Sequence, residues 1–139
     1  MKRREPVSKI MSTKVVSLKL TESLEEAERL MKKNKIRHIP VVVNNDVVGI
    51  LSLTDLLRIS FVDAFEPSVD SLDTSVYSMY SVEQIMVKNP TFVNSTRTIK
   101  EVAEILSRNE FHALPVVDNH ELKGIVTTTD LLKYLLEQY

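Results

Sequence analysis

The chain contains a gapless internal repeat. Gly49-Ile50-Leu51-Ser52-Leu53-Thr54-Asp55-Leu56-Leu57 returns as Gly124-Ile125-Val126-Thr127-Thr128-Thr129-Asp130-Leu131-Leu132, every position displaced by 75. The register holds upstream, where Ile10-Met11 maps to Ile85-Met86, Asn34 to Asn109 and Pro40-Val41-Val42 to Pro115-Val116-Val117. Between residues 7–58 and 82–133, 16 of 52 aligned pairs are identical, so the second half is a copy of the first. Each copy is marginal alone, because a domain near 60 residues hides only about 60% of its unfolded surface. We therefore expect repeats over 1–58 and 81–139, joined by a connector over 59–80, to pack together with internal pseudo-two-fold symmetry.

Each repeat has the same local grammar. Ser23 with Glu26, and Thr98 with Glu101, are Ser/Thr-x-x-Glu capping boxes that start helices. Behind them Leu24, Ala27, Leu30 and Met31 recur at helical spacing, as do Ile99, Val102, Ala103 and Leu106, and the helices should end near Asn34 and Asn109. Two β-rich runs follow in each copy, around Asn44-Asn45-Asp46 and around Asp118-Asn119-His120, and read as hairpins. Short strands are also expected at Val15–Leu18 and Thr91–Val93, after helical turns at Val7–Met11 and Val82–Met86. The order is strand, helix, strand, strand, helix, an α/β class with small mixed sheets. The connector breaks the repeat and holds Phe61, Phe65, Tyr77 and Tyr80, which could cap the halves or contact another chain.

Composition excludes several function classes. There is no cysteine, hence no disulfide framework or thiolate chemistry. With two glycines, neither GxGxxG nor a P-loop can be written, and no GxSxG elbow occurs. His38, His112 and His120 form no zinc pattern, and His120 with Asp118 reads as a plain turn. Asp55 and Asp130 should lie in separate clefts rather than act as an acid/base pair. The chain is thus not expected to be an enzyme. A net charge of −1 gives no general attraction to nucleic acid, and Lys2-Arg3-Arg4 reads as a solvated terminus. No apolar run approaches membrane-spanning length and no signal-peptide core follows Met1, so a cytoplasmic location is expected.

The Gly-x-x-Ser/Thr-x-x-Asp pattern, present twice behind an apolar-Pro-Val-Val strand and a capped helix, resembles a tandem pair of CBS domains, the Bateman module, over nearly the whole chain. The resemblance implies two repeats of β-α-β-β-α order packed through their sheets, with two clefts that bind adenosine-containing ligands such as AMP, ADP, ATP or S-adenosylmethionine. It also implies pairing of modules into a homodimeric disk, no required cofactor, and a regulatory output delivered to a separate protein.

The residues suit such a ligand. Ser52, Thr54 and Asp55 lie where a strand meets a helix, and free first-turn amides make a helix start an anion site. A carboxylate there can accept both hydroxyls of a ribose diol, with charge-assisted bonds of about 1.5–3 kcal/mol each. Thr127, Thr129 and Asp130 repeat the arrangement. An ordinary helix cap explains either copy taken singly. From the resemblance, basic residues just before the strand proline would face phosphate. These are Arg37 and His38 in the first repeat, but only His112 in the second, where Ala113 replaces the other. The Asp55 cleft is therefore the better phosphate site. The family's adenine slot would fall on Ile36, Ile39 and Ile50 with Pro90 and Thr91, and in the other cleft on Phe111, Leu114 and Ile125 with Val15 and Val16. The alternative is a ligand-free module that only dimerises or docks a partner.

Overall fold

The computed structural model describes residues 4–64 and 77–139, except the side chains of 61–64. Of the connector aromatics, the Phe61 side chain and Phe65 lie outside the described residues. By contact density the chain forms two units, one of residues 16–89 and one of residues 1–15 with 90–139. These boundaries differ from those of the sequence repeat, and hydrogen bonding explains why.

In the unit of residues 16–89, β1 (Leu18–Lys19), β2 (His38–Val43), β3 (Asp46–Ser52) and β4 (Val87–Lys88) form a sheet in the order β1-β2-β3-β4. β1 runs parallel to β2, whereas β2–β3 and β3–β4 are antiparallel. The helices α1 (Leu24–Asn34) and α2 (Leu53–Ala64) belong to this unit, as does the short α3 (Val82–Ile85). Its core is built from residues that sit on one face of each element, among them Leu18, Leu24, Met31, Ile39, Leu51 and Leu56. Thus β4 and α3, which open the second repeat in sequence, complete the sheet and core of the first.

The other unit repeats the plan in the same register. β5 (Ala113–Asp118) and β6 (Glu121–Thr127) pair antiparallel, and α4 (Ile99–Ser107) and α5 (Thr128–Glu137) are its helices. Val93 bridges Val116 in parallel and Ser12 bridges Ile125 antiparallel. These are the counterparts of Leu18 against Val41 and Val87 against Ile50, each displaced by 75. A 3-10 turn at Val7–Lys9 buries Val7 with Val102, Leu114, Val116 and Val126. Each repeat's opening segment therefore serves the other repeat's sheet.

The two recurring glycines lie at this exchange. A Cβ on Gly124 would fall 2.7 Å from Met11 Sδ and 2.8 Å from the Ser12 carbonyl oxygen, and one on Gly49 would fall 2.2 Å from Met86 Sδ. At Gly124, where the close neighbour is backbone, only a residue without a side chain lets that segment approach.

Several expectations need correction. The Val15–Leu18 strand shrinks to Leu18–Lys19, and Thr91–Val93 to a single bridge at Val93, because only those residues find backbone partners. Ser23 accepts the Glu26 amide as a cap should, but the Glu26 carboxylate turns to Arg29, so the reciprocal half of that box is absent. Thr98 and Glu101 form the full box, with the Glu101 amide 3.1 Å from Thr98 Oγ1. Hydrogen bonds from Thr98 hold the Glu101 carboxyl below its usual range. A carboxyl lowered on folding stabilises at neutral pH and loses that contribution as the pH falls through the carboxylate range. Thr98→Ala should cost about 0.5–2 kcal/mol in urea denaturation at pH 7. An unchanged midpoint would mean that packing alone starts α4.

The hairpin loops are Asn44-Asn45 and Asn119-His120, all four at positive φ, the backbone of two-residue turns that match strand twist. Asn and His tolerate that region better than most side chains. Asp118 is taken up by the Ser95 amide at 2.9 Å, and hydrogen bonds from Ser95 lower its pKa.

Candidate functional site

The candidate residues gather at the strand-to-helix junction of each unit. At β3–α2, the Asp55 amide donates to Ser52 Oγ at 3.1 Å and the Ser52 amide donates to Asp55 Oδ2 at 2.9 Å. This is a capping box with aspartate as its acidic member, closing two backbone donors that a helix start leaves open. Asp55 Oδ1 is 3.8 Å from Arg58 Nη1, and Thr54 is exposed in the first turn. His38 stands opposite Ser52 across the β2–β3 ladder, and the Leu53 amide donates to the Arg37 carbonyl at 2.8 Å. The hairpin thus brings Arg37, exposed, and His38, half-buried, to the same end of the sheet as Ser52, Thr54 and Asp55. Ile36 is half-buried against the core, and Ile50 is half-buried in β3 between Pro40 and Val87. Ile39 is fully buried in the core.

The β6–α5 junction is more self-contained. The Thr127 amide donates to Asp130 Oδ2 at 2.8 Å, the Thr127 hydroxyl to the same oxygen at 3.1 Å, and the Asp130 amide to Thr127 Oγ1 at 3.2 Å. One carboxylate oxygen and the whole hydroxyl are consumed by the cap. Thr129 is exposed. His112 is exposed, and its carbonyl accepts from Thr128 at 2.9 Å, as Arg37 does from Leu53. His112 also lines an apolar cavity of about 520 Å³ between α4 and α5. Phe111 packs half-buried on the core, and Ile125 is half-buried beside Ser12. Leu114, like Ile39, is fully buried. Val15, Pro90 and Thr91 lie in the unit of residues 1–15 and 90–139, and Val16 in the other.

Asp55 and Asp130 were readable in sequence as ligand residues or as caps, and both make cap hydrogen bonds in the structure. What sequence reasoning did not separate is the Ser52 hydroxyl from that of Thr127. Ser52 accepts from Asp55 and retains a donor, whereas the Thr127 hydroxyl spends its proton on Asp130. The Ser/Thr difference at matched positions marks the two junctions as chemically unlike.

Two copies of one β-α-β-β-α plan, each ending in a Ser/Thr-capped helix behind a Pro-Val-Val strand, define a tandem α/β-repeat architecture. The CBS domain family matches residues 7–61 and 82–137, and the chain belongs to that family. It is 33% identical over 114 residues to protein MJ1225 of Methanocaldococcus jannaschii, covering 81% of this chain and 41% of that protein. The solved MJ1225 structure aligns with a TM-score of 0.83 over 97% of this chain and 49% of its own, so this chain spans about half of that relative. CBSX2 of Arabidopsis thaliana, solved in complex with AMP, aligns with a TM-score of 0.77 at 25% identity, covering 96% of this chain and 98% of its own. The CBS domain pair of MJ0100, solved with 5′-methylthioadenosine and S-adenosyl-L-methionine, aligns with a TM-score of 0.81 at 23% identity, covering 96% and 98%. At that identity it speaks for the fold. No helix among the described residues is long and apolar enough to cross a membrane.

Proposed function

We propose that this chain is a non-enzymatic regulatory module that binds an adenosine-containing ligand at the Ser52–Asp55 junction and signals to a separate protein in the cytoplasm. The observation that carries this reading is the set of polar groups that the cap leaves over: the Ser52 hydroxyl proton, Asp55 Oδ1 and the exposed Thr54 hydroxyl, with Arg37 and His38 at the same sheet end. A riboside phosphate needs this combination, an acceptor for its diol and a cation for its phosphate. The AMP complex of CBSX2 supports the ligand class. ADP, ATP and S-adenosylmethionine share the adenosine half and belong to the same reading. Ile36 and Ile50 are assigned to the base. The Asp130 junction, with His112, Thr127, Thr129, Phe111, Ile125 and Val15, is assigned a weaker, nucleoside-like site. Self-pairing of the module is part of the proposal, and the ligand acts by binding one arrangement better than another.

The riboside is the test. Calorimetric titration should find AMP tighter than 2′-deoxy-AMP by about tenfold or more, the worth of one charge-assisted hydrogen bond. Equal affinities would remove Asp55 from ribose recognition. The second reading, a ligand-free docking module, is favoured by how fully the Thr127–Asp130 cap consumes its own polar groups. It predicts no binding of either compound.

A further inference from the structure

We infer that Lys35, acting with Arg37, makes the Ser52–Asp55 junction a site for a di- or triphosphate of adenosine rather than for the monophosphate or the cationic S-adenosylmethionine. The inference rests on the reading that an adenosine ligand binds at this junction, and adds the charge and length of its tail. Comparison of the two repeats carries it. α1 closes at Lys35, whose amide donates to the Met31 and Lys32 carbonyls, and two residues later the Arg37 carbonyl accepts the Leu53 amide that opens α2. Lys35 is thus two residues from the backbone that touches the junction. Between the two cations Ile36 packs half-buried on the core, which leaves Lys35 and Arg37 exposed. The second repeat makes the same connection, from the Thr128 amide to the His112 carbonyl, but there the matched residues are Glu110 and His112. With histidine counted as neutral, a formal charge of +2 at the first pair of positions becomes −1 at the second.

The two charges are not spent on neighbours. Among the described residues Arg29, Lys32 and Arg58 are ion-paired with Glu26, Glu28 and Asp55, whereas neither Lys35 nor Arg37 has an ion pair. Lys35 also takes the left-handed backbone that closes α1, at φ 55°, where glycine or asparagine is usual. A lysine held there against its backbone cost is explained by use of its side chain. Residues i and i+2 of a chain lie at most about 7 Å apart. With Arg37 on the phosphate next to the ribose, Lys35 is placed for a phosphate further out, and only a chain of two or three phosphates reaches both. The same two cations repel the sulfonium and ammonium of S-adenosylmethionine.

Calorimetric titration of the full 139-residue chain with AMP, ATP and S-adenosylmethionine, in magnesium-free buffer of low ionic strength, tests this, with circular dichroism confirming that each variant is folded. ATP should bind about tenfold tighter than AMP or more, the worth of one charge-assisted hydrogen bond, and S-adenosylmethionine more weakly than AMP. Lys35→Glu should bring ATP down to the affinity of AMP or below and narrow the gap to S-adenosylmethionine, with Lys35→Gln in between. Lys123→Glu, the same change of net charge made on β6, should leave the ATP-to-AMP ratio where it was. Three results would overturn the role of Lys35 and leave the adenosine reading standing: a wild-type ratio near one, S-adenosylmethionine tighter than AMP, or a ratio that Lys35→Glu lowers no more than Lys123→Glu does. Binding of none of the three compounds would overturn both.

Discussion

Gly124→Ala should destabilise the chain by about 1–3 kcal/mol, and Gly124→Val by more, although neither removes a contact. The added Cβ meets the Ser12 carbonyl oxygen at 2.8 Å, and that oxygen accepts the Ile125 amide at 3.1 Å while the Ser12 amide donates to the Ile125 carbonyl at 2.9 Å. Backbone cannot step aside without breaking the bridge that ties the first residues of the chain to β6. Gly49→Ala meets only the Met86 side chain, at 2.2–3.0 Å, and a methionine can change rotamer. Its cost should be smaller and should couple to Met86 in a double-mutant cycle, whereas Met11→Ala should not rescue Gly124→Ala. Chemical denaturation of the set checks this. Equal costs at the two glycines would show that the Ser12 bridge contributes nothing.

The second large effect concerns Asp55. A ligand present at 100 times its dissociation constant stabilises the chain that binds it by about 2.7 kcal/mol. Asp55→Ala should abolish that gain and also lose the reciprocal half of the capping box on α2, the bond from the Ser52 amide, lowering the ligand-free stability by up to about 1 kcal/mol while Ser52 still caps the helix. Asp55→Asn separates the two roles, because its amide oxygen can still accept the Ser52 amide while the charge that would hold a ribose diol is gone. The asparagine variant should therefore keep most of the apo stability and lose most of the AMP gain. Asp130→Asn should leave the AMP gain largely in place, since the Thr127–Asp130 oxygens serve their own cap. If all three variants respond to AMP like the wild type, the ligand does not touch these junctions.

The helices, hairpins and duplicated plan were legible because their signals are local: Thr98 with Glu101, the Asn44-Asn45 turn, the Pro-Val-Val strands. The glycines were visible as a repeated pair, but the reason for them was not. It depends on Met11 and Met86 arriving from segments 113 and 37 residues away in sequence, and no local pattern reports such an approach. The exchange of opening segments was hidden for the same reason, as Val87 and Ser12 each contribute one or two residues of pairing, too few to leave a period-two pattern. Glu26 looked like the acidic half of a box, but Arg29 lies one turn on and takes the carboxylate. At the candidate site, residue types and spacing were readable. That Ser52 keeps a donor which Thr127 spends is a matter of hydroxyl geometry that spacing does not encode.

An adenosine ligand held at Asp55 must stabilise the wild-type chain and not a chain that lacks that carboxylate. Thermal unfolding of the wild-type chain with saturating AMP, ADP, ATP or S-adenosylmethionine tests it most directly, read beside Asp55→Asn under the same conditions. At least one of the four should raise the wild-type melting temperature by several degrees, as about 2.7 kcal/mol requires, and leave Asp55→Asn nearly unmoved. A wild type unmoved by all four would contradict it.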